Sequence, residues 1–322
     1  MVRSLRYAVS AGVLLSLTAA GLAGATLGKV TEFQVPPPGG PNAITLGPDG
    51  ALWFTELARP AIGRRDLRGT FSTFMLPTQP TPYSIVSGPD GAIWFTESAG
   101  RGIGRITTSG KITEFDVPPC KPCGYPNGPL GLTVGSDGAL WYARPGNDTL
   151  GRVTTDGHVT EIPVGSRQTD PNWITKGPDG AIWFTDESGI ARLGSDGSIS
   201  QIWSGLNYPS AIATGPDGNL WVTGSSQDVV ARVTPKGRGT YFSLDLNCDP
   251  QWIAPGGGAL WVPCYNLDEI ELVSTAGAVR AFRVPSHFQN YPDVLSSIVQ
   301  GPDAAMWFTE YAASRLGRLS LT

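Results

Sequence analysis

The feature that most constrains this chain is a repeat. Seven tryptophans, Trp53, Trp94, Trp141, Trp183, Trp221, Trp261 and Trp307, recur at steps of 41, 47, 42, 38, 40 and 46 residues. Nearly the same text surrounds each. The first copy reads Gly47-Pro48-Asp49-Gly50 followed by ALWFTE. The others read GPDGAIWFTE, GSDGALWYAR, GPDGAIWFTD, GPDGNLWVTG, GGGALWVPC and GPDAAMWFTE. Each copy resolves into four short strands. The first is Pro-x-x-Ile/Leu-x, as in Pro41-Asn42-Ala43-Ile44-Thr45. A Pro-Asp-Gly turn then reverses the chain, with Pro setting φ and Gly supplying φ > 0. The second strand carries the Trp. The third reads Ile-Gly-Arg-Ile, as at Ile103 to Ile106, and a short turn leads to the fourth, as in Lys111 to Val117.

Four strands in about 42 residues is the period of a β-propeller blade. No apolar period of 3.6 residues supports a helical repeat instead. Composition agrees: 42 Gly and 28 Pro in 322 residues interrupt helices. With 40% hydrophobic and 16% charged residues, the chain is not disordered. The fold class expected is all-β, a seven-bladed β-propeller of four-stranded blades. The last copy stops after its third strand, at Arg318 to Thr322. The segment Gly28-Lys29-Val30-Thr31-Glu32-Phe33-Gln34-Val35-Pro36 matches the fourth strand Gly110 to Pro118 almost residue for residue. The N-terminal strand is therefore expected to complete the last blade and close the ring, which removes exposed sheet edges.

Residues 1–25 read differently. Arg3 and Arg6 precede an apolar run that ends at Ala23-Gly24-Ala25, the pattern of a secretory signal peptide. The expected organisation is a leader over 1–25 and one propeller domain over 26–322, secreted, periplasmic or otherwise extracytoplasmic. Loss of Arg3 and Arg6 with the leader takes the net charge from −4 to −6. No basic stripe remains for nucleic acid or an anionic membrane, and a monomer is expected. Four cysteines in a secreted chain should form disulfides. Cys120 and Cys123, in a Pro-rich segment, are expected to form a small-loop disulfide rather than a zinc or redox site.

Strand direction locates one rim of the ring. Residues that follow the Pro of each first strand gather there: Asn42, Tyr83, Leu130, Asn172, Ser210, Gln251 and Ser296. So do the ends of the Trp strands: Glu56, Glu97, Arg144, Asp186, Gly224, Cys264 and Glu310. This places Cys248, just before the sixth blade, within disulfide range of Cys264. The substrate-binding candidates on this rim are Asn42, Tyr83, Asp170, Asn172, Trp173, Asp186, Asp249, Gln251, Trp252 and Glu310. Carboxylates around a funnel offer hard oxygen ligands, and aromatics beside them suit a cyclic ligand. The recurring arginines, Arg64, Arg105, Arg152, Arg192, Arg232 and Arg318, are expected to pair with neighbouring turns. His158 and His287 are the only histidines.

The repeated Gly-Pro-Asp-Gly-x-Leu/Ile-Trp-Phe-Thr-Glu, followed by Ile-Gly-Arg-Ile, resembles the virginiamycin B lyase (streptogramin lyase) family over about Gly28 to Thr322. The resemblance implies a seven-bladed propeller. It also implies Mg²⁺ and a His base that together open the ester of a cyclic depsipeptide by elimination. The family's sixth blade opens with Glu-Pro-His, a metal ligand and the base. This chain has Asp249-Pro250-Gln251 there. On the resemblance, Asp249 is the remaining metal ligand, and Gln251 has no basic nitrogen to take a proton. The family's second metal carboxylate falls at about Cys264 or Tyr265, and a substrate-contacting His at about Ser210. No catalytic residue is assigned. The first reading is a divergent member that binds a small or cyclic ligand on its rim. Two alternatives stay open: a metal-dependent carbon–oxygen lyase with a rearranged site using Asp170, Asp186 or His287, and a scaffold for protein partners.

Overall fold

The computed structural model describes residues 28–99, 102–119, 128–165, 169–285 and 294–321. Cys120, Cys123 and His287 lie outside them. Seven four-stranded antiparallel sheets make up the chain. In the first blade the strands are Pro41–Leu46, Leu52–Glu56, Ala61–Arg65 and Phe71–Met75. Each of the next five blades repeats this order. In the seventh, Leu295–Gln300, Met306–Glu310 and Arg315–Ser320 are joined by Lys29–Gln34, which pairs antiparallel from Lys29 opposite Ser320 to Gln34 opposite Arg315. The first strands touch one another from blade to blade through all seven, the last returning to the first, so they surround the axis of a ring. Helix among the described residues is limited to two single 3₁₀ turns, Pro145–Asn147 and Ser225–Gln227. No helix there is long and apolar enough to cross a membrane.

The repeated text has a local explanation at each position. In the first blade Asp49 Oδ1 accepts from the Ala51 amide and from Trp53 Nε1, at 3.2 and 3.0 Å. Its Oδ2 accepts from Arg64 Nε at 2.9 Å. Burial pushes the Asp49 carboxyl up, but the bonds from Trp53, Arg64 and Ala51 outweigh it and hold it below the ordinary value. The same Asp–Trp–Arg bonds recur at Asp90, Asp137, Asp179 and Asp303. Each arginine thus pairs with the turn of its own blade. Arg232 departs by donating to the Thr275 carbonyl at 2.6 Å. The third-strand glycine makes room for the aromatic beside Trp. A Cβ on Gly104 would sit 1.9 Å from the Phe95 ring.

Packing between blades forms the core. Trp53, Ile62 and Leu76 of the first blade, for example, close on Ile85, Ile93 and Phe95 of the second. The Thr of Trp-Phe-Thr adds a polar staple. Thr55 Oγ1 accepts from the Ala43 amide at 3.0 Å and donates to the Tyr83 carbonyl of the next blade at 3.1 Å. Thr96, Thr185 and Thr309 do the same. A buried backbone group left without a partner costs about 1–3 kcal/mol. Ala143 and Pro263 stand at this position in the third and sixth blades.

Candidate functional site

At the axis, residues from five blades converge on a cavity of about 320 Å³ lined by Asn42, Tyr83, Trp173, Gln251, Trp252, Tyr265 and Ser296. The first-strand backbone explains the convergence, because it runs out at this rim around the ring. Ala43, Ser84, Ala211 and Ser297 fill one repeat position with small side chains, whereas the fourth and sixth blades place Trp173 and Trp252 there. These two rings meet edge to face at 4.3 Å between centroids, and Tyr83 tilts against Trp173 at 6.1 Å. Trp252 also packs against the apolar cluster between the first and second blades, so its side chain reaches across the axis. Burial, with Tyr265 nearby, pushes the Tyr83 hydroxyl above its ordinary value.

The cavity is lined by neutral groups. The sequence-predicted carboxylate Asp249 does not line it and is held by the cavity residue Gln251. Its Oδ1 accepts from Gln251 Nε2 at 2.7 Å and its Oδ2 from Asn266 Nδ2 at 3.3 Å. Asp249 sits in the left-handed region, φ 48°, where its amide donates to Asp228 Oδ1 at 2.9 Å. Cys248, the residue before it, is joined to Cys264. Among the described residues only Cys248, Cys264 and Glu271 bring three metal-ligand atoms within 4.8 Å of one another, and the two sulfurs there are bonded together. A divalent cation with oxygen ligands therefore does not fit the residues around Asp249: both its carboxylate oxygens serve amides, the nearby Asp228 carboxylate accepts from its backbone amide, and no three ligating residues converge there among the described residues.

Asp170, Asn172 and Asp186 line a neighbouring cavity of about 490 Å³ with Leu130, Tyr208 and Ser210. The Asp170 amide donates to Asp148 Oδ1 at 2.9 Å. Burial and the Asp148 charge push its carboxyl up. Asp186 is 4% exposed and accepts from the Ser188 amide and hydroxyl at 2.9 and 2.8 Å.

The Trp-strand ends behave differently from the first-strand starts. Glu56, Glu97, Arg144, Cys264 and Glu310 are all buried. Side chains alternate along a strand, so Glu56 shares the side of Phe54, which packs against Leu316 and Trp307 of the seventh blade. These groups lie between blades rather than in the axial cavity. His158 is exposed in the turn before the third blade's fourth strand, at the opposite end of the ring from the cavity. Glu271, absent from the candidates, is fully buried where other blades have Gly or Ala. Its Oε1 accepts from the Asp245 amide at 2.7 Å, and its Oε2 has no hydrogen-bond partner. The repeat itself carried that signal, since the matching third-strand residues are Gly63, Gly104, Gly151, Ala191, Ala231 and Gly317.

A family model described as the virginiamycin B lyase family matches residues 23–126, 120–204 and 200–322. Among solved structures, a streptogramin B lyase superposes with a TM-score of 0.83 at 27% identity, covering 92% of this chain and 98% of that one. Virginiamycin B lyase from Staphylococcus aureus gives 0.82 at 27% identity, over 92% of this chain and 100% of the other. So does a catalytically inactive variant of that enzyme with quinupristin. The extracellular domain of a hybrid two-component system from B. thetaiotaomicron, at 12% identity and a TM-score of 0.71, shares the fold alone. No curated protein matches the chain in sequence.

Proposed function

Since the chain belongs to the virginiamycin B lyase family, we propose that its axial cavity binds a small or cyclic amphipathic ligand and does not open it. The observation that carries this reading is the cavity lining of four indole or phenol side chains, Tyr83, Trp173, Trp252 and Tyr265, with the amides of Asn42 and Gln251. Aromatic faces take up apolar rings, and a few amides fix the orientation of ester or peptide groups.

Elimination beside an ester needs a base within hydrogen-bond reach of the α-proton. Gln251 occupies the position at which the family resemblance puts that base, and an amide does not accept a proton at neutral pH. The phenol of Tyr83 is pushed away from ionising by its burial, with Tyr265 beside it. Loss of a base alone costs about 10²–10⁴ in rate. Magnesium would supply charge stabilisation for a developing enolate in an active relative, but the residues around Asp249 do not converge on one. The apolar leader over 1–25 and the Cys248–Cys264 bond support action outside the cytoplasm.

Quinupristin is the probe of choice, given the relative that was solved with it. Calorimetric titration should give a saturable signal, and mass spectrometry after incubation with Mg²⁺ should return the probe intact. A linearised product at a useful rate would replace the binding reading with the lyase one. Absence of both binding and turnover would leave the protein-scaffold alternative.

A further inference from the structure

The second blade holds a cavity that its neighbours fill with their own arginines. In each of four blades the fourth-strand residue paired with the third-strand glycine lies close to the end of the Trp strand: Thr73, Glu114, Glu161 and Glu32. In the first blade Arg59 closes this space, with Nε 2.5 Å from Glu56 Oε2 and Nη2 3.0 Å from Thr73 Oγ1. The third blade does so with Arg144, whose Nη1 lies 2.8 Å from Glu161 Oε1. In the seventh, Arg315 Nη1 stands 3.9 Å from Glu32 Oε2.

The second blade puts two carboxylates, Glu97 and Glu114, at these positions, and no cation among the described residues pairs with either. A cavity of about 280 Å³ lies there instead. Glu97 is 3% exposed and lines it, and its Oε1 has no hydrogen-bond partner. Glu114 and Phe115 form a half-buried wall. Thr78, Gln79 and Asp116 line it from exposed positions. An unpaired buried carboxylate is costly unless it is protonated or partnered. Burial, then Glu114 and Asp116, raise Glu97 to about 8.

We propose that this pocket between the first and second blades binds a guanidinium group supplied from outside the chain. The planar fork of a guanidinium matches two carboxylates, and Phe115 offers an aromatic surface beside it. A single divalent ion matches less well, because Glu97, Glu114 and Asp116 do not bring one ligand atom each within 4.8 Å of one another. The group could belong to a free small guanidine or to an arginine of a partner protein, and the two are separable by experiment.

The test is calorimetric titration of the full chain with arginine methyl ester, lysine methyl ester, calcium chloride and an acetylated Gly-Arg-Gly amide. The arginine ester should saturate the wild type, with the lysine ester weaker. Glu97→Gln and Glu114→Gln should each weaken it by about tenfold or more, as expected for losing a charged hydrogen-bond partner. The glutamine changes keep side-chain shape, and Glu114 is half-buried, so at least one variant tests binding without loss of fold. Tighter binding of the peptide assigns the site to a partner's arginine, and equal binding to free guanidines. Unchanged affinity in both variants would overturn the proposal. So would calcium binding tighter than the arginine ester, or no saturable binding of the arginine ester by the wild type.

Discussion

Gln251 Nε2 donates to Asp249 Oδ1 across 2.7 Å. The pair closes on itself at the mouth of the sixth blade, and Asn266 takes the other carboxylate oxygen. A carboxylate saturated by amides is a poor site for a cation, and an amide held by that carboxylate is oriented rather than reactive. Gln251→His alone should therefore yield no opened quinupristin in the presence of Mg²⁺. Mass spectrometry reads the outcome directly. Turnover by this single variant would mean that the remaining residues already hold the metal.

The aromatic contact between Trp173 and Trp252 predicts where binding energy resides. Large buried aromatics carry most of the affinity at such sites, about 2 kcal/mol or more each on truncation. Trp252→Ala and Trp173→Ala should each weaken a cavity ligand by about thirtyfold. Isothermal titration checks this, with Tyr208→Ala as a control outside the axial cavity.

Trp183 is fully buried and its indole donates to Asp179 at 2.9 Å. Trp183→Ala should cost about 3–5 kcal/mol through the cavity it leaves. Urea unfolding measures the loss. Wild-type stability in this variant would contradict the interblade placement of the tryptophans.

Two buried carboxyls set a pH dependence. Burial, with Glu114 and Asp116, raises Glu97 to about 8, and burial with Asp245 and Glu269 raises Glu271 to about 7, from 4.5. The folded state keeps protons that the unfolded state gives up. Their contribution is thus fully present below about pH 4.5 and is lost as pH rises through 7 and 8. Thermal melts should fall across that interval. The paired variant Glu97→Gln, Glu271→Gln should flatten the fall.

The bond between Cys248 and Cys264 spans a sequence separation of 16. Closing a loop of that length is worth about 3 kcal/mol in the chain-entropy account. Replacing both cysteines by alanine should lower stability by about that amount. Denaturant unfolding with and without a reducing agent gives the value, and the double variant should not respond to the reductant.

The blades were legible because the repeat states its own turns, strands and apolar positions seven times. The arginines were assigned to scaffold by the same symmetry, and their bonds to Asp49, Asp90, Asp137, Asp179 and Asp303 are with their own turns. The rim was only half legible. Grouping Glu310 and Asp186 with Tyr83 treats a strand end as a position along the axis, but the strand's two-residue period decides which way a side chain points. Two residues beyond Trp, Thr309 faces the next blade. Glu310 faces the blade before. The cavity at the axis depended on a different signal, the two tryptophans at a position where other blades carry Ala, Ser or Gly.

Lys29–Gln34 lies against Arg315–Ser320 in the seventh sheet. That adjacency sets an order of events in the making of the molecule. A ribosome adding about 5–20 residues per second takes on the order of tens of seconds to pass from one strand to the other. Throughout that interval the earliest strand has no partner, and six blades must stand without the sheet that joins them end to end. Their exposed backbone edges are open to other chains for as long as the last strand is unmade. For this propeller, the moment of greatest exposure to wrong pairing comes just before Arg315–Ser320 is made.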